Sequence, residues 1–219
     1  AAVPFDANLT AARLAIEGDP VVPMKATLRS RLDAATDILS LEAELTDPEG
    51  RARAAGTGQH DLTTGDGGLD LVLDPVRFRR RGLQPKDVVP ALAGLPLACV
   101  DGRMEGSGRI AWGSAAETSL GLRLRNAAFR TPWGRAEAAA AELRLDRFSP
   151  LRLPAGQRVR IGRFVLDGEM PPLTDVDARF GWSQAGGVDL QRVALDWTGA
   201  KVRVEGGSGR RRPSVLKIE

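Results

Sequence analysis

The sequence predicts an all-β, antiparallel protein with one short helix, and two observations carry this prediction. Apolar and polar residues alternate through most of the chain, as in Leu39–Thr46 and Leu120–Arg125. Successive side chains of a strand point to opposite faces. Each such run therefore predicts a strand with one apolar face, shielded from water (the dry face), and one polar face exposed to solvent. Gly, Pro and Asp separate the runs at near-regular spacing, as at Asp47–Gly50 and Gly65–Gly68, and these residues favour turns.

The alternating runs and one exception divide the chain into elements. Residues 84–96 break the alternation, with Pro85 near the start and Gly94 near the end, and this pattern predicts a short helix. Pro90 inside the stretch disfavours a long regular helix. In chain order we expect strands at Met24–Leu32, Leu39–Thr46, Leu69–Asp74, Leu120–Arg125, Ala139–Asp146, Val159–Ile161, Val176–Phe180, Val193–Trp197 and Val202–Glu205.

The composition argues against most catalytic classes. The 219 residues include 31 basic and 28 acidic side chains, a net charge of +3, and this near balance argues against a dedicated nucleic-acid binder. A single Cys excludes an internal disulfide and a cysteine-rich zinc site, and a single His excludes a multi-histidine metal centre. The sequence contains no phosphate-binding loop, dinucleotide-binding glycine motif, zinc-protease motif or nucleophile elbow. We therefore expect no enzyme, no catalytic residues, no metal site and no cofactor.

Two residues that could carry chemistry have simpler interpretations. His60 and Asp61 could form a base with its orienting carboxylate, but no nucleophile motif accompanies them. We interpret His60 as a surface turn residue. Cys99 lies among apolar neighbours, so we expect a buried, unreactive thiol.

Glycine-rich and arginine-rich segments each allow two interpretations. The run Gly102–Gly108 places glycines on the same strand face as Val100; this predicts a bent strand with close packing, with a smooth patch for an acyl chain as the alternative. The basic clusters Arg79–Arg81 and Arg210–Arg212 predict solvated turns or edges, with contact to lipid phosphate as the alternative.

We expect residues 1–219 to form one continuous β segment of a longer protein, with any subdivision near residues 82–99. The chain ends in the alternating run Val215–Glu219, which predicts a strand that continues beyond it. Leu, Val, Ile and Ala dominate the dry face, and such a face must be covered by another sheet, by a helix or by an apolar ligand.

Three segments resemble a known superfamily. Leu92–Trp112, with its Gly106-Ser-Gly108 core, resembles a strand of AsmA-like proteins. Val159–Phe180 and Val188–Val202 resemble the YdbH-type branch of the same superfamily. The resemblance implies an all-β, antiparallel, curved open sheet or groove (β-taco-like). It also implies phospholipid transport between the inner and outer membranes by a periplasmic protein of the cell envelope. The parent protein would be anchored in the inner membrane and would have an outer-membrane partner.

The alternation is consistent with this implied function, because aliphatic side chains could line a trough while charged ones face water. Moving an acyl chain of about fifteen methylenes through water costs roughly 12 kcal/mol, and such a trough would remove most of that cost. The predicted groove-lining residues are Leu39, Leu41, Ala43, Leu45, Leu69, Leu71, Leu73, Met104, Ile110, Trp112, Leu120, Leu122, Leu124, Leu143, Leu145, Val159 and Ile161.

Two alternatives to a lipid groove remain open at this point. A structural or chaperone-like β module could assist outer-membrane protein assembly by pairing an unfolded strand with its edge. A hydrolase on a β scaffold would need His60 as its base. The sequence does not decide whether the sheet stays open or closes on itself.

Overall fold

The structure is a computed structural model that describes residues 3–7, 15–16, 19–20, 25–47, 49–88, 97–114, 117–148, 151–183, 187–205 and 215–218. Most of these residues lie in strands. In chain order the strands are β1 (Val3–Ala7), β2 (Ala15–Ile16), β3 (Asp19–Pro20), β4 (Lys25–Asp33), β5 (Ile38–Thr46), β6 (Arg53–Asp61), β7 (Gly67–Phe78), β8 (Ala98–Trp112), β9 (Thr118–Thr131), β10 (Gly134–Leu145), β11 (Arg147–Phe148), β12 (Leu151–Leu166), β13 (Leu173–Ser183), β14 (Gly187–Trp197), β15 (Ala200–Glu205) and β16 (Val215–Ile218).

Fourteen of the described strands form one sheet with a simple order. From one edge to the other the strands are β1, β4 to β10 and β12 to β16, with β11 paired to β12, while β2 and β3 form a separate pair. Within the described part of the chain, the two outermost strands do not pair with each other, so the sheet is open. The predicted all-β, antiparallel, open sheet is confirmed.

The single described helix, α1 (Pro85–Val88), is one turn long. Pro85 occupies its first position, where the missing N–H costs no hydrogen bond. The Asp87 carboxylate accepts a hydrogen bond from the Gln84 N–H at 2.9 Å, which is half of a capping box. The predicted short helix over residues 84–96 is therefore confirmed at its start; residues 89–96 lie outside the described residues, as do Met24 and the cluster Arg210–Arg212.

The chain divides into two compact units. The first unit comprises Ala1–Val76 and Glu105–Gly121, and the second comprises Arg77–Met104 and Leu122–Glu219. The predicted single segment with a subdivision near residues 82–99 stays a prediction.

The two units differ in how much apolar surface they enclose. Among the described residues of the first unit, Ala52 and Val76 are the hydrophobic side chains that are fully enclosed. In the second unit the enclosed hydrophobic side chains are Phe78, Leu83, Val100, Met104, Leu122, Ala127, Ala136, Ala139, Ala141, Leu145, Leu153, Val176, Ala178 and Trp182. The second unit thus has a packed interior of its own, whereas the described residues of the first unit enclose few hydrophobic side chains.

Left-handed backbone conformations interrupt several strands of the second unit. Cys99, Asn126, Ala138 and Asp175 have φ values of 53°, 52°, 52° and 50°. For residues with a Cβ this conformation costs about 1 kcal/mol or more. Between Thr174 and Asp177 the register of β13 shifts against β14, as expected for a bulge. Such irregularities bend a strand and redirect its side chains.

Asp47 holds together the connection between β5 and β6. Asp47 is 5% exposed in the folded chain. Oδ1 accepts a hydrogen bond from the Ala52 N–H at 2.8 Å, and Oδ2 accepts one from Arg51 Nε at 3.1 Å. Burial by itself raises the pKa of Asp47, but these hydrogen bonds and the charge of Arg51 outweigh burial and lower the pKa below its usual value of 3.8.

The lowered pKa of Asp47 predicts a pH-dependent contribution to stability. A carboxylate whose folded pKa is depressed stabilises the fold fully above its unfolded pKa, and this contribution is lost as the pH falls through the folded pKa. We expect Asp47→Asn to lower the free energy of unfolding by about 1–2 kcal/mol at pH 7 and by less at about pH 2.5. Urea unfolding of both proteins at the two pH values measures this, and an equal deficit at both would contradict it.

Candidate functional site

The strand register of the first unit places the predicted apolar residues on one face. Leu28 on β4 pairs with Ala43 on β5, Ala43 pairs with Gly56 on β6, and Gly56 pairs with Leu71 on β7. These four residues form a row across four strands, and directly paired residues of neighbouring strands point to the same face. We name this side of β4–β7 the aliphatic face.

A second row of the aliphatic face runs parallel to the first. Ser30, Leu41, Gly58 and Leu69 are paired in sequence from β4 to β7. The predicted lining residues of β5 and β7 therefore share one surface, but they are separated by the small residues of β6.

Leucine side chains from β7 lie over the glycines of β6. A Cβ placed on Gly56 would be 2.7 Å from Leu71 Cδ2 and 3.2 Å from Leu69 Cγ. The leucines thus occupy the space that side chains on β6 would take. The sequence did not predict β6 as part of this surface, although the small residues Ala54, Gly56 and Gly58 at every second position could have indicated it.

An aromatic contact closes one end of the aliphatic face. His60 pairs with Gly67 across β6 and β7, and a Cβ on Gly67 would be 2.5 Å from the Trp112 ring. Trp112 therefore packs directly on the Gly67 backbone. Trp112 Nε1 lies 3.2 Å from His60 Nδ1, which also lies 3.1 Å from the Asp66 carbonyl oxygen. His60 Nδ1 can accept from Trp112 or donate to Asp66, depending on its tautomer.

The aliphatic face is only half-buried. In the first unit, none of the predicted lining residues is fully enclosed; Leu39, Leu41, Ala43, Leu45, Leu69, Leu71, Leu73, Ile110, Trp112 and Leu120 are all half-buried. The inner face of a packed two-layer β-protein would be shielded from water by the second layer. A contiguous apolar surface left accessible is characteristic of a binding site.

The second unit divides its predicted lining residues into two groups. Met104, Leu122 and Leu145 are enclosed by protein, with exposures of 7%, 8% and 4%. Leu124, Leu143, Val159 and Ile161 are half-buried. The lining role of all seventeen residues stays a prediction, and the half-buried ones are those that a ligand could reach.

Charged side chains dominate the opposite face in both units. Arg109 Nη1 contacts both carboxylate oxygens of Asp70, at 3.1 and 3.0 Å. In the second unit Arg158 on β12 contacts Asp177 on β13. The hydrogen bond from Arg158 is the main reason that the pKa of Asp177 lies below its usual value. Exposed pairs of this kind stabilise the fold little, but they mark the side of the sheet that faces water.

The structure does not support a catalytic pair at His60 and Asp61. His60 lies within β6 and is half-buried, so the prediction of a surface turn histidine is wrong. The Asp61 carboxylate accepts hydrogen bonds from the Thr63 and Thr64 N–H groups, at 2.7 and 3.2 Å, and these bonds lower the pKa of Asp61. Asp61 therefore fixes the turn after β6 rather than orienting the imidazole.

Two further predictions concern β8. Cys99 is exposed, so the prediction of a buried thiol, which relied on its apolar neighbours, is wrong. The backbone of Cys99 is left-handed, with φ 53°, and this departs from regular strand geometry. The glycines of the run Gly102–Gly108 pack closely against neighbouring backbone, as the first interpretation of that run predicts. A Cβ on Gly102 would be 2.9 Å from Ala127 Cα, and one on Gly108 would be 2.4 Å from the Ser119 carbonyl oxygen.

The described strands form an open antiparallel sheet, and in the first unit the aliphatic face of β4–β7 is half-exposed. A family model for YdbH-like proteins, described as intermembrane phospholipid transport protein YdbH, matches residues 5–213. The chain therefore belongs to the YdbH-like family of intermembrane phospholipid transport proteins, and the resemblance seen in the sequence is confirmed. No curated protein and no solved structure matches the chain. Among the described residues, no helix is long and apolar enough to span a bilayer.

Proposed function

We propose that this chain is a segment of a periplasmic bridge whose aliphatic face shields phospholipid acyl chains in a hydrophobic groove. The phospholipids would move between the inner and outer membranes. The parent protein would be anchored in the inner membrane and would meet a partner at the outer membrane. The observation that carries the proposal is the half-exposed aliphatic face of β4–β7, in a chain of the YdbH-like family.

The chemistry of the aliphatic face supports a sliding ligand. An acyl chain gains about 0.8 kcal/mol for each methylene that leaves water. The leucines of β5 and β7, with the small residues of β6 between them, supply an apolar contact for it. The imidazole of His60 lies at one end of the face, where its Nδ1 either accepts a hydrogen bond from Trp112 Nε1 or donates one to the Asp66 carbonyl. A lipid tail would therefore find few polar groups at which its movement would stall.

Native mass spectrometry of the segment purified from bacteria tests this proposal. We expect phospholipid masses bound to the folded chain, because the aliphatic face would otherwise be exposed to water. A lipid-free chain that also fails to bind added phospholipid would contradict the proposal.

A structural or chaperone-like module that binds an unfolded strand at a sheet edge is the alternative. It predicts that an extended peptide cross-links to an outermost strand, while acyl-chain probes do not cross-link at all. A lipid groove predicts the reverse, and a single cross-linking experiment with both probes separates the two.

A further inference from the structure

A recess lined by arginines lies on the second unit, and none of its lining residues is among the predicted groove-lining residues. Its volume is about 280 Å³. The lining residues come from the turn after β7 and from the strands β8, β9 and β10; they are Arg80, Cys99, Asp101, Asn126, Ala128, Phe129, Arg130 and Arg135. All three arginines are exposed at the rim, whereas Ala128 and Phe129 are half-buried.

Gln84 fixes the geometry of this recess. Its Nε2 donates hydrogen bonds to the Arg79 carbonyl at 2.6 Å and to the Val100 carbonyl at 3.0 Å. Its Oε1 accepts a hydrogen bond from the Val100 N–H at 2.8 Å. The Gln84 side chain thereby joins the turn that carries Arg80 to the start of β8. Arg80 consequently lines the recess together with residues of β8, β9 and β10, which come later in the chain.

Two residues that line the recess depart from regular strand geometry, and this affects which side chains face the recess. Cys99 and Asn126 both line the recess and both have left-handed φ values, 53° and 52°. Because such residues break the alternation of a strand, they redirect the side chains next to them. The irregularities in β8 and β9 therefore coincide with the place where the arginines gather.

The charges of the recess favour an anion. Three guanidinium groups face one carboxylate, that of Asp101. Among the described residues Arg80 has no ion-pair partner, and Arg130 has only Asp167 at 3.7 Å, with both side chains about 60% exposed. Arg135 is paired with Glu137. Exposed pairs are weak, so an incoming phosphate could recruit Arg80 and Arg130 at little cost.

A larger depression in the first unit provides a contrast. It measures about 540 Å³ and is lined by Asp61, Asp66, Asp70 and a single arginine, Arg109. Both carboxylate oxygens of Asp70 accept hydrogen bonds from Arg109 Nη1. A phosphate would meet an excess of negative charge there, so the size of a depression alone does not indicate a phosphate site.

We propose that the recess at Arg80, Arg130 and Arg135 binds a phosphate group, and that the phosphate belongs to a phospholipid headgroup. Guanidinium groups match phosphate oxygens in geometry and charge. The half-buried Phe129 and Ala128 offer an apolar contact to the glycerol part of a lipid. The choice of a phospholipid as the source rests on the proposed function; the phosphate site itself rests on the geometry of the second unit.

Titrations of the whole chain with three soluble probes test this inference: inorganic phosphate, dihexanoyl-phosphatidylglycerol and phosphate-free dihexanoylglycerol. Chemical shifts of the Cys99 and Asn126 amides report binding at the recess. We expect the phospholipid to bind more tightly than inorganic phosphate, and the phosphate-free lipid to leave these amides unchanged. The double variant Arg80→Gln/Arg130→Gln should weaken phospholipid binding at the recess at least about fivefold. The matched control Arg53→Gln removes one exposed guanidinium from the first unit and should have no effect.

The outcomes separate this inference from the proposed function. Equal binding of inorganic phosphate and phospholipid would support the phosphate site but overturn the lipid headgroup as its source. Unchanged recess amides with all probes, or equal binding by the double variant and the wild type, would overturn the site. Since the recess and the aliphatic face use different residues, Leu71→Asp should leave the phosphate titration unchanged even if it removes binding of acyl chains.

Discussion

Replacing Leu71 with Asp is expected to weaken phospholipid binding at least tenfold, equivalent to about 1.4 kcal/mol. Leu71 lies on the aliphatic face in the row with Leu28, Ala43 and Gly56. A carboxylate in this row would lose hydration against each acyl chain that passes over it, and an unpaired charge in apolar surroundings is costly. Equilibrium binding of a fluorescent phospholipid measures the effect.

The next residue on the same strand provides the control. Val72 points to the opposite side of β7 and is 56% exposed. Val72→Asp adds the same charge to the same strand, so it should leave lipid binding within about twofold of the wild type. Circular dichroism should show that both variants retain the β fold, because neither side chain is enclosed. Equal losses of binding in the two variants would contradict a one-sided lipid surface.

Gly58→Ala is expected to destabilise the chain by at least about 3 kcal/mol. An added Cβ at Gly58 would lie 2.0 Å from the Gly68 carbonyl oxygen and 2.9 Å from Leu69 Cα. Both contacts are with the backbone, so no side chain can move aside to relieve them. The strands β6 and β7 would have to separate, and the hydrogen bonds between them would be lost. Urea unfolding followed by circular dichroism measures the change.

Gly121→Ala is the matched substitution for this prediction. A Cβ at Gly121 would have the Ser107 carbonyl oxygen as its nearest neighbour, at an ordinary 3.6 Å. Since Ala restricts the unfolded chain more than Gly, this variant should be neutral or more stable by about 0.5 kcal/mol. A comparable loss of stability in both variants would show that the glycine contacts at β6 and β7 do not decide the packing.

The alternation of apolar and polar residues was enough to predict the sheet and to place the leucines of β5 and β7 on one face of it. Strand β5 carries an aliphatic residue at every second position from Leu39 to Leu45, and β7 does so from Leu69 to Leu73. Strand β6 was not predicted, because Ala and Gly give almost no hydrophobic signal even where they alternate. The membership of β6 in the aliphatic face depends on its pairing with β5 and β7, and no local pattern encodes that pairing.

Local patterns also failed where the backbone departs from regular strand geometry. Cys99 was expected to be buried because its neighbours are apolar, but a left-handed backbone at that residue leaves it exposed. The arginine recess was not foreseen for a related reason. Arg80 and Arg130 are fifty residues apart in the chain, and Gln84 brings the turn of Arg80 to β8 through hydrogen bonds that no spacing rule predicts.

Photo-cross-linking at two adjacent positions of β5 tests whether acyl chains lie on the aliphatic face. A photoreactive amino acid replaces either Leu41, on the aliphatic face, or Glu42, on the charged face. In cells grown with labelled phospholipid precursor, we expect lipid to be captured at position 41 and not at position 42. Equal capture at both positions, or capture at 42 alone, would contradict the claim that acyl chains lie on the aliphatic face of this sheet.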